Sequence, residues 1–218
     1  VVKVIKSGED KELENKITKE LNALKNSAFT DKASRVIGSI LIIGLDRSGK
    51  STYIQRLKTG EFHEKMLPTL GQALVDCKIE HEGSEKIIKF LDMPGQLKLR
   101  YTWMKTIIKP NGLIYMIDLS APERFEEARD EFFKFAEKHF DENAQDPIPQ
   151  DTYMQVFLNK IDLVDDFKTK LPNLKKDILK MFKFDKYWKN FEIIPISTKT
   201  GEGIDVSIKK FIPKLLSL

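Results

Sequence analysis

A glycine-rich segment with the chemistry to bind phosphates spans residues 44–51, Gly-Leu-Asp-Arg-Ser-Gly-Lys-Ser. It matches the pattern G-x-x-x-x-G-K-[ST] at every fixed position and lies between an apolar run and a helical stretch. Its backbone N–H groups can surround phosphate oxygens, and the following helix directs its positive end at them. We expect Lys50 to contact the β- and γ-phosphates and the Ser51 hydroxyl to bind Mg²⁺. The expected phosphate-binding residues are Asp46, Arg47, Ser48, Gly49, Lys50, Ser51 and Thr52.

A second motif, Asp-Met-Pro-Gly-Gln at residues 92–96, follows the apolar run 87–91. At the end of a strand, Asp92 can support Mg²⁺ through its water shell, Gly95 can offer its N–H to a γ-phosphate, and Gln96 can orient an attacking water. The alternative for this motif taken by itself is an ordinary Asp-x-Pro-Gly turn. Its place after a phosphate-binding loop favours the first interpretation.

Thr69 lies between these two motifs, after Pro68. Its hydroxyl could bind Mg²⁺ and its N–H the γ-phosphate only when a triphosphate is bound, which would order the surrounding loop. The expected metal ligands are therefore Ser51, Thr69 and Asp92. The expected catalytic residues are Gln96, Lys50 and Thr69.

Two further segments could recognise a purine base. Asn159-Lys160-Ile161-Asp162 follows the apolar run 154–158, and the Asp162 carboxylate can accept hydrogen bonds from guanine N1–H and its 2-amino group. We expect Asn159 to tie this segment to the phosphate loop and the stem of Lys160 to cover the ring. Residues 197–199 follow another apolar run, and the Thr198 N–H could meet guanine O6. The expected base-binding residues are Asn159, Lys160, Asp162, Ser197, Thr198 and Lys199.

The elements that must position these motifs are short apolar runs alternating with amphipathic stretches, which predicts βαβ units. The predicted strands are Ile40–Leu45, Leu74–Glu80, Ile87–Leu91, Leu113–Ile117, Met154–Leu158 and Ile193–Ile196. The predicted helices are Lys50–Lys58, Pro122–Lys138, Leu171–Phe182 and Ile204–Leu216. The segment His81–Ser84 predicts a hairpin between two strands. The expected fold class is α/β: a three-layer P-loop NTPase fold whose six-stranded sheet is mostly parallel, with one antiparallel edge strand.

Residues 1–37 are predicted to form an N-terminal helical extension, and residues 38–218 a nucleotide-binding domain. Apolar residues at helical spacing predict a helix over 11–25. Packing on the domain's own surface is favoured for this helix, ahead of contact with a membrane or with a partner helix.

The composition limits the function classes. The chain has 218 residues, of which 41% are hydrophobic and 32% charged, so it can form a sizeable core. A net charge of only +4 argues against a dedicated nucleic-acid binder. A single cysteine, Cys77, excludes a disulfide framework and favours a cytoplasmic setting. No apolar run is long enough to predict a transmembrane helix.

Taken together, these motifs resemble a small GTPase, and in particular the Arf/Sar family, over about residues 38–212. The resemblance is carried by Gly-Leu-Asp at 44–46, Pro-Thr-Leu-Gly at 68–71, Gln96 with Arg100 and Trp103, and the strand and helix over 112–129. It implies a molecular switch that cycles between GTP and GDP with Mg²⁺ and slow intrinsic hydrolysis. It also implies an exchange factor, an activating protein and effectors as partners. Peripheral membrane contact through the N-terminal helix is a further alternative.

Two departures from the family pattern stand out. Pro94 replaces a more usual glycine, which removes one N–H and restricts Met93. Arg47 is unusual in the phosphate loop, and a solvated surface arginine is favoured over one that contacts phosphate. The alternative function is a GTP-bound scaffold with little hydrolysis, resembling the β subunit of the signal-recognition-particle receptor. Gln96 argues against it, and residues 159–162 argue against a small-molecule kinase.

Overall fold

The structure, a computed structural model, describes residues 35–105, 109–139, 148–149 and 151–217, in which strands and helices alternate. The strands are β1 (Val36–Ile43), β2 (Ala73–His81), β3 (Ser84–Asp92), β4 (Gly112–Asp118), β5 (Tyr153–Asn159) and β6 (Phe191–Pro195). The α-helices are α1 (Lys50–Thr59), α2 (Phe125–His139), α3 (Phe167–Phe182), α4 (Phe184–Tyr187) and α5 (Ile204–Leu216). Short 3₁₀ helices cover Leu97–Met104, Pro122–Arg124 and Ile161–Leu163.

The strands form one sheet in the order β2-β3-β1-β4-β5-β6. The pairs β1–β4, β4–β5 and β5–β6 are parallel, and β2 at the edge is antiparallel to β3. This confirms the predicted sheet and the hairpin, in which His81 is paired with Ser84. In the β4–β5 register Asp118 lies beside Asn159, so the carboxyl ends of neighbouring strands meet at one edge, where such sheets bind ligands.

Both faces of the sheet are covered, because alternate residues of each central strand enter different apolar clusters. In β1, Leu41 and Ile43 belong to the cluster formed with α2, α3 and α4. The intervening Ile40 and Ile42 belong to the cluster formed with α1 and α5. All four side chains are fully buried. The fold is therefore the predicted three-layer arrangement, and it holds the loops at the carboxyl ends of the strands in place.

Several predicted boundaries were wrong. β1 ends at Ile43 rather than Leu45, because the chain turns there into the glycine-rich loop. Helix α3 begins at Phe167 and carries Pro172 inside it, whereas the sequence pattern placed Pro172 in the first turn, where proline is usual. The 3₁₀ helix Leu97–Met104 was not predicted at all. The predicted N-terminal helix over 11–25 lies outside the described residues.

Candidate active site

The glycine-rich loop, residues 44–51 (the P-loop), connects β1 to α1. Gly49 has a φ of +102°, and a Cβ there would lie 2.2 Å from Asn159 Nδ2, so only glycine fits. The Lys50 ammonium donates to the carbonyls of Gly44 and Leu45, both at 2.8 Å. These contacts hold the lysine across the mouth of the loop. Burial lowers the pKa of Lys50 to about 8, although the carboxylates of Asp92 and Asp46 act in the opposite direction.

Three oxygen-bearing side chains from separate segments converge beside α1. The Ser51 hydroxyl donates to Asp92 Oδ2 at 2.5 Å, and the Thr69 hydroxyl donates to the same oxygen at 3.1 Å. The two hydroxyls are 2.9 Å apart. Burial raises the pKa of Asp92, an effect that the hydrogen bond from Ser51 and the charge of Lys50 oppose. The structure therefore brings together the three residues that the sequence predicts as metal ligands.

The donor set of this cluster fits Mg²⁺. Asp92 is only 4% exposed, and its Oδ1 atom has no hydrogen-bond partner among the described residues. A buried carboxylate oxygen without a partner is costly, and a hard cation or its water shell would satisfy it. Two hydroxyls and one carboxylate are the few protein ligands that Mg²⁺ typically uses when substrate phosphates complete its shell.

A cavity of about 310 Å³ opens in front of this cluster. Its lining residues are Asp46, Arg47, Gly49, Lys50, Ser51, Thr52, Met66, Leu67, Pro68, Thr69, Gly95 and Gln96. Gln96 is half-buried and directly follows Gly95, whose carbonyl accepts a hydrogen bond from Asp46 N–H at 3.0 Å. A Cβ at Gly95 would lie 2.3 Å from that nitrogen, so the glycine permits close contact with the P-loop. The predicted phosphate, metal and water-orienting residues thus line one cavity, except for two buried ones. Asp92 lies behind Ser51 and Thr69, and the Ser48 hydroxyl donates to the Leu45 carbonyl at 2.8 Å.

Arg47 lies at the rim of the same cavity. Its side chain is exposed, and its backbone has a φ of 63°, in the left-handed region. Whether this guanidinium contacts phosphate stays a prediction.

The segments predicted to recognise the base form a second cluster. Asn159 is fully buried; its Nδ2 donates to the Ser48 carbonyl at 2.7 Å, and its Oδ1 accepts from Thr198 N–H at 3.0 Å. The Ser197 hydroxyl donates to Asp162 Oδ1 at 2.5 Å. Asn159 therefore joins the P-loop to both base-binding segments. The sequence predicts its link to the P-loop but not its link to Thr198.

Two arginines form an ionic network with Asp46, Glu127 and Glu131 behind the P-loop, which the sequence analysis missed. Arg100 is buried and donates to Gly95 O at 2.7 Å and to Glu127 at 2.8 Å, with Asp46 at 3.3 Å. Arg124 donates to Asp46 Oδ1 and to Glu127 Oε2, both at 2.8 Å. Burial alone would raise the pKa of Asp46, but the hydrogen bond and charge of Arg124 outweigh it and lower that pKa. The network links the P-loop to the segment that carries Gln96.

Two further contacts of the site were also missed. Lys160 forms an ion pair with Asp118 at 2.6 Å, which holds the stem that the sequence predicts over the base. The place of Asp118 at the end of an apolar run, like that of Asp92, could have indicated this role. Trp103 donates its indole N–H to the Pro94 carbonyl at 2.8 Å, so the unusual proline is fixed from the 3₁₀ helix.

Lys199, predicted to bind the base, is exposed, and its carbonyl accepts a hydrogen bond from Arg56.

Comparison with known proteins agrees with this geometry. Residues 20–215 match the family model described as the ADP-ribosylation factor family. The chain belongs to this family. ADP-ribosylation factor-like protein 3 of Saccharomyces cerevisiae is 30% identical over 81% of this chain and 85% of its own length. ADP-ribosylation factor-like protein 14 of Mus musculus is 32% identical over 82% of this chain and 85% of its own length.

A third relative, the ADP-ribosylation factor of Encephalitozoon cuniculi, is 30% identical over 84% of this chain and 79% of its own length. These matches confirm the resemblance drawn from residues 44–46, 68–71 and 112–129. As a member of the ADP-ribosylation factor family, the chain is a small GTPase that binds guanine nucleotides and acts as a switch with regulators and effectors. Among the described residues, no helix is long and apolar enough to cross a bilayer.

Proposed function

We propose that this protein hydrolyses GTP as a molecular switch of the Arf/Sar type and so controls the recruitment of effectors in a trafficking-like role. The observation that carries the proposal is that Ser51 and Thr69, which both bind the buried Asp92, line one cavity together with Gln96. A site that only retained nucleotide would need the P-loop, but it would not need a glutamine facing the γ-phosphate. We therefore favour hydrolysis over the scaffold function.

The hydrolytic step is assigned to groups within this cavity. Lys50 contacts the β- and γ-phosphates, and the Gln96 amide orients a water in line with the bond that breaks. Thr69 holds the γ-phosphate through its N–H. Mg²⁺, bound by Ser51, Thr69 and Asp92, supplies charge stabilisation for the phosphate oxygens when present. Arg47 lines the cavity, but its side chain is exposed, so it is not held in place to stabilise the charge of the transition state. We therefore expect slow intrinsic turnover of roughly 10⁻⁴ to 10⁻³ per second without an activating protein.

Selection of guanine is assigned to the second cluster. Asp162 accepts from N1–H and the 2-amino group, which adenine cannot reproduce, and Thr198 N–H faces O6. Lys160, held by Asp118, covers the ring. The support for this assignment is that Asn159 binds both Ser48 of the P-loop and Thr198, so one side chain joins the two clusters.

Effector recruitment is supported by exposed apolar side chains around the cavity. Leu67 is 90% exposed, Leu70 75% and Leu97 68%, and they flank Thr69 and Gln96. Side chains of this kind next to a phosphate sensor suit a protein partner whose binding depends on the nucleotide. We also propose residues 38–218 as the GTPase domain, residues 1–37 as an N-terminal helical extension, and a cytoplasmic location.

Single-turnover hydrolysis tests the proposal. Wild type and Gln96→Leu are loaded with GTP and Mg²⁺, and the bound nucleotide is then separated by chromatography over time. We expect slow conversion to GDP in the wild type, and conversion at least tenfold slower in the variant, with GTP retained by both. Retention of GTP with no conversion in either protein, even with an activating protein, would instead support the scaffold function.

A further inference from the structure

The guanidinium of Arg56, on the P-loop helix α1, contacts the loop that follows β6. Its Nη1 donates to the carbonyls of Lys199 at 2.7 Å and Thr198 at 3.3 Å, and its Nη2 donates to the Thr200 carbonyl at 3.1 Å. Three successive carbonyls of one loop thus converge on one planar cation. Hydrogen bonds from a charged donor are stronger than neutral ones, so this contact constrains the loop backbone.

This loop is the segment assigned to the purine O6 edge. Thr198 N–H, the group expected to face the base, belongs to the same residue whose carbonyl faces Arg56. Arg56 therefore holds the carbonyl side of Thr198, whereas its N–H side is held by Asn159 Oδ1 at 3.0 Å. Gly201 closes the loop with a φ of +92°, and a Cβ there would lie 2.7 Å from Arg56 Nη2. The glycine leaves room for the guanidinium against the backbone.

Helix α1 also contacts the opposite end of the nucleotide site. It begins at Lys50 and Ser51, which are assigned to phosphate and metal, and Arg56 lies between one and two turns further on. One turn before the arginine, the buried Tyr53 hydroxyl lies 2.9 Å from Ser207 Oγ in α5. A single rigid helix thus connects the phosphate end to the base end.

We propose that Arg56 is a positioning residue for guanine recognition: it fixes the carbonyls of residues 198–200 and so holds the loop assigned to the base beside Asn159. The inference rests on the proposed function, since it concerns the same nucleotide site. The fork geometry matters because one guanidinium reaches three carbonyls at once. A lysine ammonium at this position would retain the charge but present its donors from a single point.

The test is the dissociation rate of N-methylanthraniloyl-GDP, chased with excess GDP in the presence of Mg²⁺. We expect Arg56→Ala to raise this rate roughly tenfold, the effect of losing one to two charge-assisted hydrogen bonds. Arg56→Lys is expected to recover part of that loss. The matched control is Lys58→Ala, which removes an exposed cation from the same helix and should leave the rate unchanged.

Single-turnover hydrolysis of pre-bound GTP separates positioning from a general loosening of the site. Since Arg56 touches none of the groups assigned to hydrolysis, we expect the hydrolysis rate in Arg56→Ala to stay within twofold of the wild type. A hydrolysis rate that falls as much as the dissociation rate rises would overturn the assignment. A GDP dissociation rate equal to that of the wild type in both Arg56 variants would also overturn it. If the alanine variant does not fold, the dissociation rate of Arg56→Lys keeps the test valid. Failure of the wild type to retain GDP would overturn the proposed function as well, which the other outcomes do not.

Discussion

Asp92 is the residue on which the candidate metal site depends. Its Oδ2 atom accepts from two hydroxyls, whereas Oδ1 is buried without a partner among the described residues. Each of the three side chains comes from a different part of the chain, so the cluster forms only when β3, α1 and the loop before β2 come together. A carboxylate in this state binds a cation more readily than an exposed one, because burial has already removed the competing water.

Removal of the metal is expected to weaken nucleotide binding. Excess EDTA should raise the GDP dissociation rate of the wild type by roughly tenfold or more, because the phosphates then face Asp92 without a neutralising cation. In Ser51→Ala the effect of EDTA should be smaller, since one ligand is already gone. Dissociation of a fluorescent GDP analogue with and without EDTA measures both rates.

Thr59→Ala is the matched control for this measurement. It removes an exposed hydroxyl at the far end of the same helix, and that hydroxyl donates to the Gln55 carbonyl rather than to a residue assigned to the site. Its response to EDTA should equal that of the wild type. An equal response in Ser51→Ala would contradict the assignment of Ser51 as a metal ligand.

At the scale of elements, the P-loop is held from behind by the beginning of α2 and by the 3₁₀ helix Leu97–Met104. Glu127 of α2 receives hydrogen bonds from Arg124 and from the buried Arg100, and both arginines also face Asp46. The hydrogen bond from Arg124 lowers the pKa of Glu127, with further contributions from Arg100. Asp46 and Glu127 therefore contribute most to the network when they are ionised.

The acid side of the stability profile is expected to reflect this network. Because the folded pKa values of Asp46 and Glu127 are lowered, their contribution is present above the unfolded pKa, near 4, and is lost as the pH falls through the folded values. Glu127→Gln should be less stable than the wild type at pH 7 by a few tenths to about 1 kcal/mol, given its solvent screening. Urea unfolding of the GDP-bound proteins between pH 7 and 3 measures the difference.

The stability difference between wild type and Glu127→Gln should shrink as the pH approaches 3. Glu126→Gln, an exposed neighbour on the same helix, serves as the control and should follow the wild-type profile. A difference between Glu127→Gln and wild type that is constant across this pH range would show that ionisation of Glu127 does not support the network.

At the scale of the whole molecule, one aromatic cluster anchors α2, α3 and α4 to the sheet. Phe132 is fully buried, and its ring centroid lies 4.7 Å from that of Phe184, 5.0 Å from Tyr115 and 6.3 Å from Trp188. These rings join α2 to β4, to α4 and to the segment before β6. The aromatic side chains of Phe182, Phe184, Tyr187 and Trp188 are all buried in this core.

Truncation of Phe132 is expected to cost about 3–5 kcal/mol, because it removes a buried ring from a packed cluster and leaves a cavity. Val206→Ala, at a half-exposed position on α5, should change the free energy of unfolding by less than about 0.5 kcal/mol. Urea unfolding at one fixed concentration of GDP and Mg²⁺ compares the two, since bound nucleotide adds to the apparent stability. A loss below about 1 kcal/mol in Phe132→Ala would mean that the cluster repacks around the gap.

The sequence by itself determined the order of the motifs and predicted the chemistry of each. The P-loop, Asp92 with Gln96, and residues 159–162 are consecutive residues at the ends of apolar runs, so residue type and spacing were sufficient to predict them and the parallel sheet. The resulting family assignment was confirmed by the comparisons. The wrong boundaries were local, as in α3, which begins four residues before the predicted Leu171 and so carries Pro172 inside it.

Only the tertiary structure decided which distant side chains hold these motifs in place. Arg56 and Lys199 are 143 positions apart, and Arg124 and Asp46 are 78 apart, so no local pattern connects them. Such pairs depend on how helices α1 and α2 pack against the sheet, which residue type alone does not specify. Motif residues must present fixed chemical groups to a ligand, whereas the residues that support them need only meet a partner that the fold brings within reach.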